Sequence, residues 1–424
     1  MKKLIFLIAA VLLSTAQLYS QWIEQSTPVT VDIYSVFPVS PTTVYAVSDN
    51  EVVLKTTNAG TNWAIIRQGP LTNYDYSDLW FFNESTGIAV GGVSSPSKVG
   101  VISKTTNGGV NWKDTLITGK TFSSVYFVNA TTGFAGGVPV LPNSPLYKTT
   151  NAGVTWFSIA INASNIYDIK FINENTGWAS ATAAGVGEVV IKTTDGGANW
   201  STVSTLGGSV SLTCIEFVNE NAGWIGGNAY PYALLRKTTN GGTNFAQQTH
   251  HSTNFIWDLF FLNENIGWAV GEPQLIQKTT NGGINWNMQT SPSAWWIWKV
   301  RFFDANIGWA CGSQGKIFYT SNGGGPVSVQ NISTEVPSAY SLKQNYPNPF
   351  NPVTKIQYSI TKNGFVKLVV FDALGREVET LVNEVLQPGT YETAFDGSKL
   401  NSGVYFYKLT SGDFSETKRM LMIK

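Results

Sequence analysis

A short motif that recurs at nearly regular intervals constrains this chain more than any other feature. Six copies share the pattern KTT(N/D)xGxx followed by Trp or Phe, where x is any residue. A degenerate seventh copy reads YTSNGGG. The copies start at residues 55, 104, 148, 192, 237, 278 and 319. The intervals, 41 to 49 residues, suit a four-stranded propeller blade with variable loops. The repeat therefore predicts a ring of small sheets.

A strand–turn–strand pattern precedes these motifs. It is clearest at residues 168–180, 214–227, 258–271 and 299–312, and weaker at 78–92 and 124–137. Alternating residues are followed by Asn-Glu-x-x-Gly and then by a second strand such as Trp-Ala-x-Gly, which indicates a hairpin. With the Lys-Thr-Thr strand and the Trp strand, each unit has four strands, A to D in chain order.

The two ends of the repeat array complement each other. The seventh unit has no Trp strand, because Pro326 follows Gly325 directly. Near the N-terminus, residues 22–27 form a Trp strand with no Lys-Thr-Thr strand before it. If this strand completes the seventh sheet, the ring closes without open edges. We therefore predict an all-β fold with a seven-bladed β-propeller at residues 21–326.

Composition agrees with this fold class and excludes several functions. Charged residues make up 13% of the chain, with 27 basic and 27 acidic side chains, so nothing predicts a nucleic-acid or polybasic membrane surface. Fifteen Trp and forty-one Gly favour short strands and tight turns. Cys214 and Cys311 lie in strand-like stretches of different repeats, and we expect buried thiols rather than a disulfide.

The first twenty residues read as a secretory signal peptide. Lys2 and Lys3 precede an apolar stretch and then small residues, with cleavage after Ala16 or Ser20. A short membrane anchor is the alternative, but about 20 apolar residues are needed to span a bilayer. We expect no transmembrane segment in the mature chain and, with no Cys near the cleavage region, no lipid anchor.

The repeats stop before a polar segment that suggests a linker at residues 327–338. Alternating strands separated by Gly, Asn and Pro turns then predict an Ig-like β-sandwich at 339–424. This segment resembles the type A C-terminal sorting domain of the type IX secretion system. The resemblance rests on four motifs: YPNPFNP (346–352), DALGR (372–376), GVY (403–405) and the basic, then apolar tail (418–424).

The sorting-domain resemblance implies a location. It implies export from a Gram-negative bacterium with the type IX secretion machinery as a partner, and a secreted or cell-surface, outer-membrane attached product. The alternative for this segment is an ordinary Ig-like binding domain.

The propeller repeats resemble photosystem II assembly and stability factors. The likeness rests on the repeated GWA(V/I/S)G and KT(T)(N/D)GGxxW motifs, the second of which also resembles the Asp-box (BNR) hairpin. We expect Asp195 and the equivalent Asn residues to shape turns, because six copies spread around a ring cannot line one site. Blade-to-blade packing is expected for four tryptophans: Trp178, Trp224, Trp268 and Trp309.

Catalytic and cofactor signatures are absent from the sequence. No metal, phosphate-loop or nucleophile-elbow motif occurs, and the adjacent His250 and His251 make a poor metal pair, so we expect neither a cofactor nor a metal. The enzyme alternative is a sialidase-like glycoside hydrolase. Its arginine clamp would have to come from Arg67, Arg236 and Arg301, which we place on strands D, C and A, where they should not converge.

The paired carboxylates of a glycosidase have only three candidates near the starts of inner strands. Asp78, Asp168 and Asp258 lie in blades 2, 4 and 6, so we expect them to be blade-edge hydrogen-bonding groups rather than a catalytic pair. We therefore expect a non-catalytic binding or scaffold protein.

The ligand-binding face is predicted from loop variability. The D–A and B–C connections vary in length and emerge on one face of a propeller, here called the variable face. Its aromatic and histidine side chains suit a glycan or a surface protein. The candidates are Tyr74, Tyr76, Tyr230, Tyr232, His250, His251, Phe255, Trp295 and Trp296. Trp257 and Trp298 recur at the position of Tyr34 and Tyr167, and we expect them to pack the loops against the blades. Trp295 and Trp296 fall outside the repeat, so loop packing and ligand binding are equal alternatives for them.

Overall fold

The computed structural model describes residues 22–69, 74–93, 97–140, 144–207, 209–250, 255–289, 295–324, 330–333, 335–386, 388–397 and 400–424. The signal peptide expected at 1–20 lies outside them, as does His251. The described residues form nine four-stranded antiparallel sheets and no helix. Seven of these sheets fall within residues 22–324.

The first four blades follow the chain without interruption. Blade 1 contains β2 (Ile33–Pro38), β3 (Val44–Ser48), β4 (Val52–Thr56) and β5 (Ala64–Gln68). Blade 2 contains β6 (Asp75–Phe81), β7 (Gly87–Val93), β8 (Val99–Thr105) and β9 (Lys113–Thr118). Blade 3 contains β10 (Lys120–Phe127), β11 (Gly133–Pro139), β12 (Leu146–Thr149) and β13 (Phe157–Ile159). Blade 4 contains β14 (Asn165–Phe171), β15 (Gly177–Ala183), β16 (Gly187–Thr193) and β17 (Ser201–Thr205).

The last three blades have shorter outer strands. Blade 5 contains β18 (Val210–Phe217), β19 (Gly223–Ala229), β20 (Tyr232–Thr238) and β21 (Ala246–Gln247). Blade 6 contains β22 (Ile256–Phe261), β23 (Gly267–Gly271), β24 (Leu275–Thr279) and β25 (Asn287–Met288). Blade 7 contains β26 (Ile297–Phe302), β27 (Gly308–Gly312), β28 (Ile317–Thr320) and, from the N-terminus, β1 (Ile23–Gln25).

Blade 7 is completed by the N-terminal strand, as the sequence predicted. Ile23 pairs with Tyr319 and Gln25 with Ile317 in antiparallel register. Trp22 is fully buried, and its indole Nε1 donates to Gln289 Oε1 at 2.9 Å. The first residues of the described chain therefore hold the last blade.

The Asp-box motif forms one hydrogen-bonded turn in every blade, which confirms its structural role. A threonine Oγ1 donates to the Asn or Asp side chain two residues later and accepts the glycine N–H four residues later. Gly109 has φ of +93°, a conformation that glycine adopts without steric cost. The threonines are Thr56, Thr105, Thr149, Thr193, Thr238, Thr279 and Thr320.

Each turn is held by the preceding blade. Lys148 Nζ of blade 3 donates to the Gly196 carbonyl of blade 4 at 2.8 Å. Trp178 Nε1 of blade 4 donates to the Gly241 carbonyl of blade 5 at 2.9 Å, while its ring stacks on Phe217 at 3.8 Å. These contacts confirm the predicted blade-to-blade packing of the repeated tryptophans, which are all fully buried.

The C-terminal residues form two sheets that share one hydrophobic core. One sheet has the order β29 (Gln330–Ser333), β34 (Gly389–Asp396), β31 (Val353–Ile360), β30 (Ser341–Leu342). The other has the order β33 (Glu377–Leu386), β32 (Gly364–Phe371), β35 (Gly403–Ser411), β36 (Phe414–Met422). Tyr358 of the first sheet and Tyr407 of the second are both fully buried in this core.

The segment expected to be a linker differs from the prediction. Gln330–Ser333 pair with β34, so part of residues 327–338 is an edge strand of the C-terminal unit. A polar edge strand has no clear sequence signal, because only one side of its backbone is paired.

Candidate binding site at the channel mouth

Every inner strand of the propeller carries a register shift at the same place. In each blade one residue near the start of strand A is bulged out of the pairing with strand B. A β-bulge re-aims the side chain that it carries. The seven bulged residues, here called the mouth ring, are Tyr34, Ser77, Ser123, Tyr167, Thr213, Trp257 and Trp298.

The mouth ring is aromatic on one side. The Tyr34 ring of blade 1 lies 6.3 Å from the Trp298 ring of blade 7, which lies 4.9 Å from the Trp257 ring of blade 6. Phe255 stacks on Trp257 at 4.9 Å, and Trp296 meets Trp298 edge-on at 5.4 Å. Five rings from three blades thus form one continuous chain on the variable face.

Carboxylates border this aromatic chain. Glu272 Oε1 accepts a 2.9 Å hydrogen bond from Trp257 Nε1. Burial and the neighbouring Asp49 raise the pKa of the Tyr34 hydroxyl. Burial and repulsion from Asp75 raise the pKa of Asp49. Backbone contacts hold the three acidic residues together beside the Tyr34 ring: the Asp49 N–H donates to the Asp32 carbonyl at 3.4 Å, and the Asn50 N–H donates to Asp75 Oδ1 at 3.1 Å.

A largely buried layer, in which Ser or Cys alternates with Asp, lies directly beneath the mouth ring: Ser35, Asp78, Ser124, Asp168, Cys214 and Asp258. Asp78 of blade 2 accepts from Ser35 Oγ of blade 1 and from the Val125 N–H of blade 3. Asp168 of blade 4 repeats this arrangement with Ser124 Oγ and the Ile215 N–H. The carboxylates are therefore blade-edge hydrogen-bonding groups, as predicted.

An odd number of blades breaks the alternation at blade 7, where the layer has a lysine. Lys299 Nζ lies 3.6 Å from Asp258 Oδ1 and 3.9 Å from Asp78 Oδ1. Arg301 Nη1, two residues further along the strand, lies 2.6 Å from Asp258 Oδ2. Carboxylates from blades 2 and 6 therefore meet at the axis on one ammonium group, although the sequence placed them in separate blades.

The acids of this layer are occupied and poorly accessible. Asp258 is 1% exposed, and its Oδ2 also accepts the Val300 N–H at 3.0 Å. Burial raises the pKa of Asp168, with Lys299 opposing the shift. In a third layer Lys170 pairs with Glu216, whose pKa burial raises. Paired charges therefore line the lower channel.

The residues predicted to lie on the variable face differ in their exposure. Trp295 and Trp296 are exposed, at 41% and 47%, and so are Tyr230 and Tyr232, at 81% and 69%. The prediction for Tyr76 is wrong. Its ring is fully buried and its hydroxyl donates to Ser103 Oγ at 2.6 Å, because residue 76 already belongs to strand β6.

Three further candidates are half-buried. Tyr74 packs against the core between blades 1 and 2, and its carbonyl accepts the Glu51 N–H. His250 Nε2 lies 3.2 Å from the Gln247 amide nitrogen. Phe255 joins the aromatic chain through Trp257.

The arginines do not converge, as expected. Arg67 lies on β5 and pairs with Asp114 at 3.0 Å, and Arg236 on β20 contacts Gln247. Arg301 alone reaches the channel. Both cysteines are buried free thiols, which confirms that prediction.

Two further searches covered the described part of the chain. It contains no group of three or more His, Cys, Asp or Glu residues arranged to hold a metal ion. No described helix has the length and apolarity needed to cross a bilayer.

The sequence interpretation missed that Trp257, Trp298 and Tyr34 form the mouth together. The available signal was an alignment of the seven A strands, because residues one place before Asp78, Asp168 and Asp258 occupy one level of the channel. The recurrence of aromatic residues at this position had instead suggested that they only pack the loops against the blades.

Two family models match the chain. Residues 344–424 match the secretion system C-terminal sorting domain, and residues 155–252 match the photosynthesis system II assembly factor YCF48. The chain is thus similar to the YCF48 family over part of its propeller and to the sorting-domain family over its C-terminal residues. It is therefore a secretion substrate that is secreted or reaches the cell surface.

Solved structures share the fold of the YCF48-like propeller at low identity. A structure of YCF48 bound to D1 peptide is 16% identical, with a TM-score of 0.58 over 73% of this chain and 100% of that one. YCF48 from Cyanidioschyzon merolae is 18% identical, with a TM-score of 0.55 over 70% and 98%. A GH74 xyloglucanase from Xanthomonas campestris is 11% identical, with a TM-score of 0.55 over 83% and 57%. No curated protein sequence matched.

Proposed function

We propose that this protein is a non-catalytic binding or scaffold module, exported by the type IX secretion system, that takes a glycan or protein ligand at the channel mouth. The observation that carries the proposal is the chain of five aromatic rings on the variable face. Trp295 continues this surface beside Trp296. Accessible aromatic rings beside polar groups favour stacking on sugars or on peptide side chains.

The proposal of a non-catalytic role is supported by the state of the channel carboxylates. A glycosidase needs one carboxylic acid to donate a proton and a second carboxylate that reaches the sugar. Asp78 and Asp258 instead accept backbone N–H groups and share Lys299, beneath the mouth ring. These contacts leave neither carboxylate directed at a ligand on the variable face.

Retention at the outer membrane is also part of the proposal. The sorting domain supports passage across the outer membrane, and a surface-attached propeller would present its variable face to extracellular material. Immunoblotting of whole-cell, outer-membrane and culture-medium fractions tests this part. Recovery of all the protein from the medium contradicts attachment.

The binding proposal is tested with glycan and peptide arrays on the chain from residue 21 onward. Any glycan hit is then incubated with the protein, and products are analysed by chromatography. A variant with Trp295→Ala and Trp296→Ala should keep the thermal transition and lose at least tenfold in affinity. Because Tyr230 and Tyr232 lie in another blade, Tyr230→Ala with Tyr232→Ala is the matched control for losing two exposed rings.

Each array outcome decides between the candidates. Binding lost with the tryptophan pair but kept with the tyrosine pair supports the channel mouth. Hydrolysis of a bound glycan overturns the non-catalytic role, and no binding on either array overturns the proposal itself.

A further inference from the structure

We infer that the ligand of the channel mouth is a protein segment that carries lysine or arginine, held between the rings of Tyr34, Trp257 and Trp298 and the carboxylates of Asp32, Asp49 and Asp75. This inference rests on the proposed function and narrows its ligand class.

Among the described residues, the three carboxylates have only neutral donors. Asp32 Oδ1 accepts the Gln314 N–H at 2.9 Å, and Asp75 Oδ1 accepts the Asn50 N–H at 3.1 Å. The Asp49 N–H donates to the Asp32 carbonyl at 3.4 Å, and the Asp49 carboxylate lies near the neutral Tyr34 hydroxyl. None of the three forms an ion pair with a described cation. A positively charged group from outside would remove their mutual repulsion.

The same face has few cations to offer as partners. Lys316 is paired with Glu24, and Arg67 is paired with Glu51 and Asp114. Lys120 is fully buried and donates to the Ser144 carbonyl. The whole chain has 27 basic and 27 acidic residues, so the acidic character of the mouth is local rather than general.

The aromatic chain supplies the second half of cation recognition. The rings of Trp257 and Trp298 meet at 68°, and Tyr34 is tilted by 40° to Trp298, so three blades contribute differently oriented rings to one cluster. Tryptophan and tyrosine faces attract ammonium and guanidinium groups. Rings on one side and carboxylates on the other complement a long basic side chain, whose methylene stem is apolar and whose head is charged.

A protein segment fits this mouth better than a neutral glycan. A neutral sugar can stack on the rings, but it leaves the three carboxylates without a counter-charge. A peptide can place its basic side chain at Asp49 while neighbouring apolar side chains cover the exposed Trp295 and Trp296. Charge complementarity therefore selects a basic extended peptide as the occupant.

The test measures binding of two fluorescein-labelled peptides to the chain from residue 21 onward by fluorescence anisotropy. One peptide has lysines spaced in a Gly, Ser and Phe background, and the other has glutamate at each lysine position. We expect only the lysine peptide to bind, and its affinity to fall at least fivefold between about 50 mM and about 300 mM salt.

Two double variants locate the binding. Asp49→Asn with Asp75→Asn should weaken the lysine peptide at least tenfold. Glu84→Gln with Glu220→Gln removes the same charge from exposed A–B turns on the opposite face and should change affinity less than twofold. Thermal melts verify that both variants fold. If the first variant does not fold, Trp298→Leu replaces it, with an expected loss of roughly 2- to 30-fold.

Any of three results overturns the inference: equal binding of the two peptides, no binding of the lysine peptide, or full binding by a folded mouth variant. A glycan hit that depends on Trp295 and Trp296, together with a silent lysine peptide, overturns the inference and leaves the proposed function standing.

Discussion

Closure of the ring by the N-terminal strand makes Trp22 the most informative position for a stability test. Its indole is fully buried, lies edge-on to Phe302 with centroids 5.6 Å apart, and donates to the buried Gln289. We consider Trp22→Ala, which removes the ring and leaves the backbone pairing of β1 with β28 in place.

The expected loss follows from these contacts. Truncation of a buried tryptophan costs about 3–5 kcal/mol, through lost transfer free energy and the cavity that remains. Leaving the Gln289 carbonyl without its donor adds about 1 kcal/mol. Trp22→Ala should therefore lower the free energy of unfolding of the propeller by about 4–6 kcal/mol, a large share of the usual stability of a domain.

Tryptophan fluorescence during urea denaturation measures this loss selectively. All fifteen tryptophans lie between residues 22 and 309, so the sorting domain contributes none of the signal. Ile23→Ala is the matched control, because Ile23 belongs to the same strand and is 58% exposed. We expect it to change stability by about 0.5 kcal/mol or less. If Trp22→Ala costs no more than about 1 kcal/mol above Ile23→Ala, the closing role of β1 is refuted.

Three further expectations concern charge and export. Burial lowers the pKa of Lys120 from 10.5 to about 7, which costs about 5 kcal/mol below pH 7 and nothing above pH 10.5. Lys120→Met removes this cost but also the hydrogen bond to the Ser144 carbonyl and the contact with the Tyr147 ring, so it should stabilise the fold at pH 6 by about 2–3 kcal/mol and flatten the rise in stability above pH 7, as urea midpoints across pH would show. Asp258→Asn leaves Lys299 and Arg301 short of a partner and should cost about 3–5 kcal/mol, against about 0.5 kcal/mol in the same assay for Glu24→Gln, which breaks the exposed propeller pair with Lys316. Removal of residues 339–424 should trap a folded propeller in the periplasm, and its appearance in the medium by immunoblotting would contradict a sorting role.

Local chemistry explains why the fold could be predicted from sequence. The Asp-box turn is made by a threonine, an Asn or Asp and a glycine within five residues, so its motif identifies it in isolation. The count of seven came from such local turns and from the unmatched Trp strand at residue 22. The sorting domain was equally readable, because several of its motifs occur in order along residues 344–424.

The site depended on contacts that no local pattern contains. Tyr76 was expected in a loop, but it lies in β6, whose register directs its side chain into the core. Exposure of Trp295 and Trp296 was left open by the sequence, because they fall outside the repeat.

Sequence alone determined the repeat, the blade count, the closing strand and the sorting domain, because each is marked by a motif of residues adjacent in the chain. Only the tertiary structure decided that Asp78, Asp258 and Lys299 meet at one axis, and that bulges bring Tyr34, Trp257 and Trp298 to one mouth. The physical reason is ring closure. Inner strands from blades far apart in sequence become neighbours around the channel. The mouth therefore combines side chains from several blades, and no single repeat contains them all.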